Sequence, residues 1–165
     1  MIIDLRDMFV NIGQKQELSY TFDMSDFEYR GEKPLANQVV FKGQIVNRAG
    51  VVSLSGSVNT DYVAKCDRCG VDATEKIDFD IDYTLVTSLD SNEEKDGFIV
   101  LSDYKLDIEE VVKTDVVLFL PTKHLCKADC MGICSGCGAN LNTGVCSCRK
   151  EQSAFGQALK KLLEQ

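Results

Sequence analysis

Long apolar runs are missing from this chain. The longest candidate, "VVLFL" at 116–120, falls far short of the roughly 20 residues a membrane-spanning helix needs. The opening "MIIDLRDMF" has no basic stretch followed by an apolar one, so no secretory signal is visible and a cytosolic address is expected. Histidine occurs once, at position 124, so a Ser-His-Asp or Cys-His arrangement could be built only there, and no partner nucleophile is marked. There is no G-x-x-x-x-G-K-[ST] loop, no G-x-S-x-G elbow and no H-E-x-x-H pair. Internal repeats and low-complexity segments are absent too. The expectation is a protein that is not an enzyme.

Positive charge is also scarce over most of the chain. Residues 1–120 carry 12 Lys/Arg against 23 Asp/Glu, a balance of −11, whereas residues 121–165 carry 6 against 3. An acidic body repels phosphate backbones, which argues against broad non-specific nucleic-acid binding and suits a basic protein partner. The same charge also keeps a solvated surface soluble. With 165 residues, 44% hydrophobic and 27% charged, the chain is long enough for one domain with an appendage and a core that needs no cross-links.

Most of the first hundred residues read as strand. "QVVFKGQIVN" (38–47) and "VVSLSGSVNTDYVAKC" (51–66) flank the turn "NRAG", which ends in Gly50. "KIDFDIDYTLV" (76–86) puts Ile77, Phe79, Ile81, Tyr83 and Leu85 on one face and Asp78, Asp80 and Asp82 on the other. Three aspartates at spacing two could suggest a metal site, but with no second ligand group nearby they read as a wet outer face. "SLDSNEEKDG" (88–97) is a polar loop. In "LDIEEVVKTDVVLFL" (106–120), Leu106, Ile108, Val111, Val112, Val116 and Leu120 fall near helical spacing, with Pro121 as the stop. "SAFGQALKKLLEQ" (153–165) reads as a closing helix capped by Ser153, with Phe155, Leu159, Leu162 and Leu163 as an apolar stripe.

What the chain has in quantity is cysteine: eight residues, six of them within positions 126–148. In a reducing compartment such a cluster points to metal ahead of structural disulfides. Cys66-Asp-Arg-Cys69-Gly70 and Cys134-Ser-Gly-Cys137-Gly138 are both C-x-x-C-G, a knuckle in which a tight turn aims two thiolates at one ion. The first knuckle falls between two strands, where a zinc-clipped hairpin is natural. Cys126, Cys130, Cys146 and Cys148 supply four further thiolates.

Tetrahedral zinc takes four sulfurs, so eight cysteines allow about two structural Zn2+ sites. The preferred pairing puts Cys134, Cys137, Cys146 and Cys148 in a local site and joins Cys66 and Cys69 to Cys126 and Cys130 in a site that stitches tail to body. Its main rival is a lone site drawn from the six tail cysteines. His124 could replace a thiol, though a single histidine beside a turn reads first as a surface residue. Cys130-x3-Cys134-x2-Cys137 has the spacing that holds an iron–sulfur cluster in radical enzymes using S-adenosylmethionine, but those need a large barrel after the motif, and only 28 residues follow Cys137. Another iron–sulfur cluster stays open as an alternative, since thiolates hold either metal. Thiol redox chemistry is the weaker one, because neither C-x-x-C lies in a recognisable βαβ unit.

The "CDRCG" knuckle after a long hairpin, the helix ending in "LP" and the tail "CKADCMGICSGCGANLNTGVCSC" together resemble the YceD-like proteins, also called large ribosomal RNA subunit accumulation proteins. The resemblance covers nearly the whole chain. Its most specific part is C-x-G-[IL]-C-x-x-C-G-x-N-L-N followed by C-x-C, which recurs in the cysteine-rich branch of that family. Other members keep the first cysteine pair but lack most of the tail cysteines. The resemblance implies a role in large-subunit rRNA accumulation or maturation, and no known catalytic activity.

The resulting expectation is an α+β protein with three parts: an antiparallel β-rich body with a zinc-knuckle hairpin and one helix (1–121), a cysteine-rich zinc-binding segment (122–150) and a C-terminal helix (151–165). The expected partner is a large-subunit ribosomal protein or assembly intermediate, with no membrane involved. Direct contact with large-subunit rRNA, through Lys123, Lys127, Arg149, Lys150, Lys160 and Lys161, is the alternative in which the tail is an RNA-binding zinc module.

Overall fold

Alternation of apolar and polar residues organises the centre of the molecule. The computed structural model describes residues 1–35, 37–89 and 96–148. The chain begins with β1 (Ile2–Asp4), the five-residue helix α1 (Arg6–Val10), β2 (Lys15–Phe22), β3 (Val39–Arg48), β4 (Val51–Lys65) and β5 (Asp72–Val86). It continues with β6 (Phe98–Val100), β7 (Lys105–Asp107) and the helix α2 (Ile108–Phe119). Strands β2 to β6 form one sheet in sequence order, and β1 pairs with β7 in a second, two-stranded sheet.

The inner face of the large sheet carries Phe41, Ile45, Leu54, Val58, Phe79, Ile81 and Leu85, all buried. Helix α1 covers one end of this face through Met8, and α2 adds Ile108, Val112 and Val116 to the same core. Each such side chain contributes roughly 1.5–3 kcal/mol by leaving water. The outer face is wet: Asp78, Asp80 and Asp82 are exposed in a row as expected, with Asn59 donating to Asp78 at 3.2 Å. In the β3–β4 turn, Ala49 (φ 52°) and Gly50 (φ 90°) give the two positive angles a tight two-residue hairpin requires.

One pair of glycines is required by packing. Gly43 and Gly56 face each other across β3 and β4. A Cβ on either would sit 2.6 Å from the ring of Phe41, which fills the space that side chains would otherwise occupy. An aromatic ring here covers what two glycines leave bare.

The β4–β5 hairpin runs on after the rest of the sheet has stopped. Pairing between β3 and β4 ends at Asn59, while β4 and β5 stay paired to Lys65↔Asp72. The last turns of this hairpin therefore project as a two-stranded arm, tipped by the Cys66–Val71 knuckle. Two strands alone are marginal in water, so the arm needs support. The loop before β3 gives some, with the Val63 N–H donating to Pro34 O at 2.8 Å.

Three features depart from the sequence expectation. The short helix α1 is an addition to the single helix foreseen in the body. Strand β6 pairs with β5 in parallel, so the sheet is mixed; the Gly97 carbonyl accepts from Thr84 N–H and starts that pairing. Within α2, capped by Asp107 accepting from Glu109 N–H, the buried set includes Asp115 as well as the expected aliphatics. The predicted closing helix at 153–165 lies outside the described residues.

Candidate metal centre

The structure gathers the eight cysteines into two groups of four: Cys66, Cys69, Cys126 and Cys130, and Cys134, Cys137, Cys146 and Cys148. Within each group the sulfurs lie within 4.8 Å of one another, and all eight are free thiols. This is the preferred of the two pairings considered from spacing.

The first group is built where the arm ends. The knuckle Cys66–Gly70 closes through a Gly70 N–H to Cys66 O bond of 2.9 Å, with Gly70 at φ 71°. Cys126 and Cys130 arrive on the segment after α2, which Pro121 has stopped. Sulfur–sulfur distances are 3.7 Å for Cys66–Cys130 and 3.6 Å for Cys69–Cys126. A tetrahedral ion with metal–sulfur bonds of about 2.3 Å sets sulfurs about 3.8 Å apart, so the donor set fits zinc. A disulfide would need about 2.05 Å.

The second group repeats the knuckle. Gly138 N–H donates to Cys134 O at 2.8 Å, and Gly138 has φ 74°. Cys146 lies 3.3 Å from Cys134 and 3.4 Å from Cys137. Cys137 and Cys148 are exposed, whereas Cys66, Cys69 and Cys130 are buried.

Thiol acidity follows the local donors. Backbone N–H groups, that of Cys126 first, bring Cys66 down to about 6, and the N–H groups of Gly136 and Cys137 do the same for Cys134. Burial and shared protons push Cys126 up to about 12. Hydrogen bonds with Cys137 and Cys146 push Cys148 to about 12. Four thiolates so close cannot all ionise without a cation between them, and a dication would remove that repulsion.

Several residues around the first group were not singled out from the sequence. Arg68 Nη1 donates to Cys130 O at 2.8 Å, locking knuckle to tail. Asn142 belongs to the loop of the second group, yet its Nδ2 donates to the sulfur of Cys130 at 3.3 Å. Burial pushes Cys130 up, but the Asn142 amide and the Gly132 N–H outweigh it and hold this thiol below its ordinary range. The two groups thus share a residue. The motif C-x-G-[IL]-C-x-x-C-G-x-N-L-N ends on Asn142 but gives it no role, because the contact depends on how the tail folds back.

His124 corrects an expectation. It is not a surface residue: it is 2% exposed, with its ring edge-on to Tyr62 at 5.0 Å. Nδ1 faces Glu75 Oε2 at 3.1 Å and Nε2 faces Ala73 O at 3.1 Å, so both ring nitrogens are engaged and neither is turned to a metal. Its backbone N–H donates to Asp67 at 2.8 Å. His124 is thus a peg that seats the tail on the arm. Of the basic tail residues, Lys123 and Lys127 are exposed; Arg149, Lys150, Lys160 and Lys161 lie outside the described residues.

Residues 54–163 match the family described as Large ribosomal RNA subunit accumulation protein YceD. The chain belongs to the YceD family. The matched span includes both cysteine groups, the arm and α2. A similar curated protein is the chloroplastic large ribosomal RNA subunit accumulation protein YCED homolog 1 of Arabidopsis thaliana. It is 25% identical over 168 residues, covering 84% of this chain and 50% of that protein. An uncharacterized protein of Mycobacterium leprae is 30% identical over 96 residues, 54% of this chain and 43% of its own length. The chain therefore spans about half the length of the curated relatives it matches. No solved structure matches it. Among the described residues, no helix is long and apolar enough to cross a membrane.

Proposed function

We propose that this YceD-family chain is a non-enzymatic factor that supports large-subunit rRNA accumulation and ribosome assembly by binding, with a structural Zn2+ ion at each four-cysteine group. The observation that supports this reading is the gathering of the eight thiols into two sets of four: an ion held tetrahedrally by four thiolates would have no position left for a water or substrate. Zinc held this way fixes a surface and does not catalyse. The ions clip the β4–β5 arm to the tail and shape the tail loop.

The partner is a basic large-subunit ribosomal protein or an assembly intermediate that presents one. The acidic sheet face supports this, since it attracts positive segments and repels bare phosphate. The test is capture of the tagged, metal-loaded chain from its native cytosol, with and without ribonuclease. A basic ribosomal protein retained after ribonuclease is the expected result. Large-subunit precursors that vanish with ribonuclease, with no protein retained, would instead make the tail a direct RNA-binding module through Lys123 and Lys127. Neither appearing would overturn the assembly reading.

A further inference from the structure

Away from the cysteines, a cavity of about 470 Å3 lies between β6, β7 and the first two turns of α2. Its apolar lining comes from Ile99, Leu101, Leu106 and Val111, and Asp107, Glu110 and Asp115 bring negative charge to it. Asp115 is 6% exposed. Its Oδ1 accepts from the Tyr83 hydroxyl at 2.7 Å, while Oδ2 has no hydrogen-bond partner among the described residues. Buried carboxylate oxygens are ordinarily paired, so this one lacks a donor. Burial pushes the Asp115 carboxyl above its ordinary range, as expected for an acid without a neighbouring positive charge.

The cations nearby are engaged elsewhere. Lys105, which also lines the cavity, has its ammonium 3.3 Å from Asp103. Lys113 is held by Glu109 at 2.8 Å, and the N-terminal ammonium by Asp107 at 2.7 Å. Asp115 is thus a buried acid in an aliphatic cavity whose neighbouring cations point to other carboxylates.

We propose that this cavity receives the side chain of a lysine or arginine from a basic protein segment. The aliphatic stem lies along the walls, and the cationic head reaches Asp115 with Glu110 beside it. Oδ2 has almost no surface of its own, so entry of the head group turns the carboxylate towards the cavity. The proposal rests on the reading of the acidic body as a holder for a basic protein, and names where one side chain of that protein is held.

The test uses the full, metal-loaded chain and blocked lysine and arginine (N-acetyl, N-methylamide) as probes, with blocked norleucine as the uncharged control. Amide signals of Ile99, Leu101, Val111 and Thr114 are followed by NMR. Saturable shifts with both cationic probes and none with norleucine are expected, with affinity falling at least tenfold in Asp115→Asn. That variant keeps the shape and should fold at least as stably at neutral pH, because burial disfavours the charge it removes. Tyr83→Phe keeps the charge and should keep binding. Equal shifts in Asp115→Asn, or equal shifts with norleucine, would overturn the site. If Asp115→Asn does not fold, Glu110→Gln takes its place and must weaken binding several-fold; no change there overturns the site as well. The capture experiment separates the two ideas. A basic protein retained equally by wild type and Asp115→Asn removes the cavity's role and leaves the holder reading. Probes bound in an Asp115-dependent way, with no basic protein captured, leave the site and remove the holder reading.

Discussion

The two cysteine groups have the same ligands and the same knuckle, yet they sit in the chain in opposite ways. The first joins residues 57 and 64 positions apart and lies largely buried against the arm. The second joins residues 9 and 12 positions apart and has two exposed thiols. Closing the longer loops removes about 1.5 kcal/mol more chain entropy from the unfolded state, by the logarithmic dependence on loop length. The larger difference is what each closure holds. The first would hold a two-stranded arm that is marginal alone, while the second would hold its own loop and, through Asn142 in that loop, one donor to the first. With a metal ion bound at each, identical ligand sets would therefore give one staple for the fold and one more local feature.

That contrast can be broken by unequal substitutions. Cys66→Ser should lose one metal ion and destabilise the body by several kcal/mol, since structural zinc binding is itself folding free energy. Cys137→Ser should also lose one ion but cost the body less, at most about 1–3 kcal/mol, through the Asn142 amide that its loop positions. Metal-to-protein ratios and thermal melts of the two variants decide it, and equal melting losses would refute the division of labour. Gly56→Val comes next. Its side chain meets the Phe41 ring and the β3 backbone at Lys42 and Gly43, so a loss of about 3 kcal/mol is expected with the metal ratio unchanged.

Asn142→Ala sharpens the comparison from the other side. It leaves all eight cysteines in place but removes the amide that donates to Cys130. Partners of this kind are worth about 10- to 100-fold in metal affinity. Competition with a chromogenic chelator should show the loss at the first group, although residue 142 lies in the loop of the second. The smallest effect is one of timing. Wild-type protein under chelator should release metal in two phases, the exposed group first. Lowering the pH should advance both phases, because protons bind the thiolates only once the metal has gone.

Much of this was legible in the chain. Period-two alternation marked β5 and its wet aspartate row, and "NRAG" marked the β3–β4 turn. The C-x-x-C-G pairs marked the knuckles, because a thiolate cage needs a tight turn and that leaves a local pattern. What was not legible is set by contacts between distant segments. His124 looked like a surface residue because the Glu75 and Ala73 that engage it are about 50 positions away. Asp115 sits in an apolar stripe where period alone predicts nothing about an acid, and Tyr83 came close only when α2 packed on β5. The parallel β6 follows a polar loop whose sequence does not state the direction of return.

The most direct measurement of the central claim is elemental analysis of the natively purified protein, read with its absorbance. About two zinc ions per chain are expected, with no iron and no band near 400 nm, because each four-thiolate group would complete one tetrahedral ion. A ratio near one would remove the staple between arm and tail, and iron with visible colour would replace structural zinc with a cluster of another chemistry.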